Sequence, residues 1–483
     1  MKRINYIIFT SILLIFSCDG FLDEVPQSSL TREQFFQSEA DFRSALTATY
    51  GELQGLESNL IRFSSLNSDE TTPGIFGRNS GDNFLFDDNE YTASNIAFQS
   101  FWSNLYDGIN QANNIITEGE DITLPVAQQE LVDRYVAEAK FLRALYYFFL
   151  VTAYGDVPLI TEPTTSLENL NVSRSNAEEV YDQIVQDLTE AEPVLEAEYG
   201  GDDLGRATSG AAAALLAKVY LFRGDFVNAR DKALQVINSD NYALFDDYLA
   251  VTRNSDKNGI EHIFSIQYAR GFSENDANRV FGANKDAGVI AEIPVEIEGQ
   301  SVYAVEEDFA LNFPDGYRKE VTIFDRIVPD GDGGTTDLEY YHTSKYFDNT
   351  GALGSRGDNN FNILRLADVL LIFAEADNEV NDGPSTEAYE AINKIRRRAM
   401  NQDKDTPDPA VDLPAGLNQE DFREAVWEER KWELAFEGHR RWDLIRTGQY
   451  LVELPDAQER NLLFPIPEGE IEINSSLSQN PNY

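Results

Sequence analysis

One cysteine stands in this 483-residue chain, and its position decides what chemistry it does. Cys18 follows Leu14-Ile15-Phe16-Ser17, at the end of an apolar run from Ile7 to Phe16 that Lys2 and Arg3 precede. A basic start, an apolar stretch too short to span a bilayer, and a small residue before a cysteine read as a secretory signal over 1–17. Cleavage before Cys18 would leave a thiol to carry diacylglycerol. A chance cysteine in a signal cut elsewhere is the competing reading, and its uniqueness and placement count against that. Several acyl chains would hold the protein on a membrane with no transmembrane helix. With no second cysteine there is no intramolecular disulfide, so an exported chain of this length must be held by its core.

The remaining reactive residues argue for binding and against catalysis. His262, His342 and His439 stand in no triad or metal spacing, and 84 acidic residues offer too many carboxylate pairs for any one to mark a glycosidase. Asp330-Gly331-Asp332-Gly333-Gly334 resembles the start of a calcium loop, but its glycine comes one position early and Tyr341 stands where the closing glutamate belongs. A flexible turn is the better reading. The Glu428-Glu429-Arg430-Lys431 and Glu437-Gly438-His439-Arg440-Arg441 clusters look catalytic, but ion pairs that fix helix packing are the default reading. The expectation is a protein that is not an enzyme and needs no cofactor or metal. A net charge of −46 makes nucleic acid and other polyanions poor partners.

Ligand recognition in loops combines aromatic faces with planar hydrogen-bonding groups. Two stretches supply both: Asp69, Glu70, Arg78, Asn83, Phe84 and Tyr91 in the first, and Tyr268, Arg270, Phe272, Tyr303, Phe313 and Tyr317 in the second. About half of these aromatics are expected to pin loops instead, because apolar loop residues are usually buried beneath them. Trp102, Trp427, Trp432 and Trp442 sit at helical apolar spacing and are expected in the core.

These residues need a scaffold, and the periodicity predicts a helical one. Phe42, Leu46, Thr49 and Leu53 follow a capping-box pair, Ser38 and Asp41. A helix carrying Phe141, Leu145 and Phe148 should stop at Gly155-Asp156-Val157-Pro158. Leu216 to Ala233 places small residues at 217, 229 and 233, aromatics at 220 and 226 and a turn glycine at 224, the pattern of a tetratricopeptide helix pair. A second pair is expected at Leu364 to Val380 and Glu387 to Met400. Residues 67–95 and 241–360 lose the helical period, with a strand-like run at His262 to Tyr268. Irregular segments on a rigid scaffold are where binding groups tend to sit.

At this point the chain resembles the SusD/RagB family of outer-membrane nutrient-binding lipoproteins. The resemblance rests on Cys18-Asp19-Gly20-Phe21-Leu22-Asp23-Glu24-Val25-Pro26, on Phe101-Trp102 to Asn113, and on Ala137 to Ala144 with Gly155 to Pro158. Arg365 to Asp368, Ala374 to Ala376, Glu429 to Leu444, Phe464 to Pro467 and Gln479 to Pro481 continue it in the family's order. It implies a mostly α fold: a tetratricopeptide-like repeat scaffold of four helix pairs with a large, irregular, loop-rich ligand-binding region. It divides the mature chain into 18–240, with helical repeats, and 241–483, irregular to 360 and then helical. It also implies a cell-surface protein anchored in the outer membrane through Cys18, which binds oligosaccharides and passes them to a SusC-like TonB-dependent transporter. Peptide capture within the same family, and a repeat adaptor with no small ligand, are the alternatives.

Overall fold

Helices form wherever an apolar stripe meets a capping residue. The computed structural model describes residues 32–166, 170–283, 288–290, 296–297, 299–328, 336–348 and 356–483; the signal, Cys18 and the 330–334 turn lie outside them. Helices of seven residues or more run α1 (Glu39–Glu52), α2 (Gly81–Asp87), α3 (Ile96–Asp121), α4 (Val126–Tyr154), α5 (Ala177–Ala191) and α6 (Ser209–Phe222). They continue with α7 (Phe226–Ile237), α8 (Leu366–Val380), α9 (Thr386–Ala399), α10 (Gln419–Glu433) and α11 (Arg440–Arg446). The Ser38 N–H donates to the Asp41 carboxylate at 2.8 Å, which closes the start of α1. Helix α4 stops where Gly155 adopts φ +71°, a conformation that costs glycine little.

The α6–α7 pair is the tetratricopeptide-like unit seen in the sequence. The Thr208 hydroxyl caps α6, Asp225 caps α7, and Gly224 turns between them at φ +70°. Alanines at 211–214, 217, 229 and 233 are buried, so the helices approach closely and pack on α5 and α8. The α8–α9 pair follows, one correction being needed: α8 begins at Leu366, because Phe361–Arg365 form a strand. Helices α3 and α4 pack lengthwise, and α1 lies across both.

Strands gather between these helices. In chain order they are β1 (Thr71–Pro73), β2 (His262–Ile266), β3 (Gly288–Ile290), β4 (Glu296–Ile297), β5 (Tyr303–Val305), β6 (Ile323–Val328), β7 (Thr336–Thr343) and β8 (Phe361–Arg365). They make a six-stranded sheet in the order β1-β5-β7-β6-β3-β4, with antiparallel pairing throughout, and a separate β2–β8 ribbon. One apolar core runs under both halves. Trp102 and Trp432 lie in it as expected, whereas Trp427 and Trp442 are partly exposed. No helix among the described residues is long and apolar enough to cross a membrane.

The two charged clusters are internal ion-pair networks. Arg365 meets Glu261 at 2.8 Å, Glu433 at 2.6 Å and Glu437 at 2.7 Å; Arg398 also pairs with Glu261 and Glu433. Arg318 holds Glu429 and Glu433, and Lys345 holds Glu437. Burial opposes the charge on Glu433 and Glu437, but the surrounding cations hold both carboxyls down at about 2. Nearby, Lys218 of α6 reaches Asp368 of α8 at 3.0 Å, and Arg430 of α10 reaches Asp368 at 2.8 Å and Asp443 of α11 at 3.1 Å.

Candidate functional site

The sheet brings the two irregular segments together. Thr72 pairs with Ala304 and Pro73 with Tyr303 along β1 and β5, so residues that stand far apart in sequence become neighbours. Beyond β1 the chain folds flat over residues 301 and 302. The Gly74 N–H donates to the Val302 carbonyl at 2.9 Å and the Phe76 N–H to the Ser301 carbonyl at 3.1 Å. This closeness explains two glycines: a Cβ on Gly74 would lie 2.4 Å from the Ser301 carbonyl oxygen, and one on Gly77 1.9 Å from that of Val302.

Held this way, Ile75 and Phe76 cannot turn inward. Phe76 is 45% exposed and Phe84, on α2, 39%, with Ile75 and Leu85 beside them in sequence and similarly open. Phe86 on the same helix is fully buried and anchors α2 against Phe63 and Phe98. A cluster of partly exposed apolar side chains in one short segment is the kind of surface that marks a binding site. Arg78 extends from this shelf over the Tyr340 ring of β7, 4.8 Å from its centroid, and approaches Glu339 at 3.5 Å. The shelf therefore offers aromatic faces beside a planar cation and an exposed carboxylate.

A buried hydrogen-bond chain supports it. His342 Nδ1 lies 3.0 Å from the Tyr340 carbonyl, which can only accept, so Nδ1 carries the proton and Nε2 accepts from the Ser301 hydroxyl at 2.9 Å. The Ser301 oxygen accepts in turn from the Ile75 N–H at 3.3 Å. Burial holds the imidazole neutral, down at about 4. Beneath α2, Thr72 donates to Asp87 at 3.1 Å; burial, and then the charge on Glu306, pushes the Asp87 carboxyl up to about 7.

The twelve residues singled out in the sequence divide sharply. Arg78 and Phe84 lie on the shelf. Phe272 is 95% exposed at the tip of a turn in which the Ala269 carbonyl accepts from the N–H groups of Phe272 and Ser273; Arg270 beside it clamps Asp348. Tyr317 is half-buried and donates to Asp247. The others are occupied in the interior. Tyr91 packs on Phe86 and Phe98, Tyr303 on Phe281, and Phe313 on Trp432 at 5.0 Å, because long loops need buried rings to stay down. The Tyr268 hydroxyl donates to buried Glu57 at 2.8 Å, and Asn83 donates to the Gly77 carbonyl at 3.2 Å. Asp69 is held by Arg440 at 2.6 Å and Lys431 at 3.0 Å; burial works against its charge, yet the two cations keep it below the ordinary carboxylate range. Burial pushes Glu70 up to about 8 although the Phe436 N–H donates to it. Sequence reasoning missed Phe76, Glu339 and Tyr340. The available signal was Gly74-Ile75-Phe76-Gly77, an apolar pair bracketed by glycines.

The comparisons with known proteins agree along the whole chain. Residues 312–461 match the model described as the SusD family, and residues 20–221 match one described as starch-binding associating with outer membrane. A SusD-like protein of Formosa agariphila is 29% identical, covering 99% of this chain and 98% of the relative. The SusD homolog from Bacteroides thetaiotaomicron superposes with a TM-score of 0.81 at 26% identity, over 94% of this chain and 98% of that one. A solved structure described as a laminarin-binding SusD-like protein superposes at 0.78 with 27% identity, over 93% of this chain and 100% of the other. With both ends matched to its models and the helical-repeat fold shared across nearly the full length, this chain belongs to the SusD/RagB family.

Proposed function

We propose that the protein captures neutral oligosaccharides on the shelf formed by residues 74–86 and strand β7, and delivers them to a SusC-like TonB-dependent transporter. In this reading it sits on the cell surface, anchored in the outer membrane through lipid on Cys18, and cleaves nothing. The observation that carries the ligand class is the pairing of aromatic exposure with charge balance. Phe76, Phe84 and Tyr340 supply faces for pyranose rings, while four arginines of the two irregular segments are already matched: Arg78 with Glu339, Arg270 with Asp348, Arg279 with Asp276 and Arg318 with Glu429. No basic patch among these residues offsets the net charge of −46, so a polyuronate or sulfated polymer would meet repulsion. Laminarin binding in a structural neighbour and the starch-binding description of a matching family model support the same class. The charged clusters that look catalytic in the sequence are committed to ion pairs, which supports a binding role.

The test is electrophoresis through gels containing laminarin, starch or neither, followed by calorimetry, with a peptide mixture as control. A neutral glucan should retard the protein. Phe84→Ala and Phe76→Ala should each weaken binding by about 1 kcal/mol, roughly five-fold, with little change in melting temperature. Binding to the peptides alone, or shelf variants that bind glucan normally, would overturn this reading.

A further inference from the structure

We infer that a second carbohydrate site lies in a cleft that shares no residue with the shelf, between the end of α4, the start of α5, helix α11 and the C-terminal segment. The inference takes its ligand class from the proposed function but uses none of the shelf residues. The cleft encloses about 620 Å³, within the range of small-ligand sites. Three partly exposed aromatic side chains line it: Tyr181 of α5, Phe222 of α6 and Trp442 of α11.

The polar groups at its rim decide what would bind. Four of the five N–H groups of Arg174 donate, to the carbonyls of Asp156, Ser478 and Tyr154 and to the Asn480 side chain. Arg446 is neutralised by Glu375 and Asp443. The charge of Arg446 is matched, and Arg174 is held by neutral acceptors with Asp156 as its nearby carboxylate. Two acceptors, in contrast, are uncommitted. Asp156 uses Oδ1 to accept from the Ala177 N–H at 2.9 Å, while its Oδ2 and the Tyr181 hydroxyl have no hydrogen-bond partner among the described residues. A free carboxylate oxygen and a phenol beside aromatic faces suit a neutral polyhydroxylated ring, whose hydroxyls donate to the acceptors while its apolar face packs on a side chain. A carboxylated or phosphorylated ligand would meet Asp156, whose charge offsets that of Arg174, so the rim presents no net positive charge to it.

Trp442 also provides the reporter. With Thr152 and Phe222 it separates the cleft from a small internal cavity of about 40 Å³, lined by Lys218 and His439, so its indole borders open volume on both sides. Occupancy of the cleft should shift its emission.

The experiment uses the full chain with the shelf disabled by Phe76→Ala, Arg78→Ala and Phe84→Ala, titrated with laminaritriose and maltotriose. Calorimetry and tryptophan fluorescence are read together. Residual saturable binding with an emission change is expected, weakened at least ten-fold by Asp156→Asn with Tyr181→Phe. Those changes keep the Oδ1 cap and the ring, so the melting temperature should stay put. Loss of all binding in the shelf variant overturns the cleft and leaves the shelf reading standing. Equal binding by wild type and shelf variant, abolished by the cleft pair, upholds the cleft and overturns the shelf. Residual binding untouched by the cleft pair, or no response of any form to either sugar, overturns the cleft.

Discussion

His342 provides a measurable test of how the shelf is held. Its imidazole must stay neutral, because Nε2 accepts from Ser301 while Nδ1–H donates to the Tyr340 carbonyl. Burial lowers it from 6.5 to about 4 in the folded chain. Between those values the unfolded chain holds a proton that the native chain refuses, so stability falls as pH drops through this window and levels off below about 4. From pH 7 to pH 5 the linkage amounts to roughly 2 kcal/mol for this one group. Other buried carboxyls titrate too, so the quantity to measure is a difference between wild type and His342→Gln, which keeps a neutral polar side chain but cannot ionise. Guanidinium denaturation at pH 7, 6 and 5 should show the advantage of wild type shrinking by about 2 kcal/mol. Glucan affinity of wild type and His342→Gln should change alike over the same range, since the native imidazole takes up its proton only near 4 while Asp87 beneath α2 titrates in both. A wild-type advantage that stays constant across this range would refute the reasoning. An affinity gap between the two proteins that changes as the pH falls would also refute it.

Arg365→Met should lower stability by roughly 3–5 kcal/mol, read as a large drop in melting temperature, because Glu261, Glu433 and Glu437 would share too little positive charge in a dry interior. Gly77→Ala places a Cβ 1.9 Å from the Val302 carbonyl oxygen and must displace the turn. Glucan affinity should fall about ten-fold, 1.4 kcal/mol, while the helical circular dichroism of the scaffold is unchanged. Cys18→Ala should move the protein from membrane to soluble fractions, provided the transporter is absent.

The scaffold was legible because its signals are local. Gly155, Gly224 and the small residues at 217, 229 and 233 act on neighbours within a few turns, and each stands where the periodicity put it. The site was legible only by region. Loop aromatics that bind and loop aromatics that anchor have the same composition, and what separates Phe84 from Tyr91 is a long-range fact: Tyr91 falls against Phe98 and Phe464, whereas α2 turns Phe84 outward. Tyr340 carried no such cue, because its role depends on Arg78 arriving from the turn that follows β1.

The buried Lys218 has a consequence for the order in which the chain completes itself. Its counterion, Asp368, lies 150 residues downstream, and the His439 nitrogen that accepts a hydrogen bond from it lies 221 residues downstream. An ammonium cannot enter a dry core without partners. A chain emerging N-terminus first can therefore assemble helices α3 to α7, but the face of α6 that bears Lys218 must stay wet until the last third arrives. Closure is late and non-local, which slows folding and leaves the alanine-rich surface of α6 open to association meanwhile. Truncation before α8 should thus yield a helical but sticky fragment and not a smaller stable domain, so the two halves meet selection as one unit.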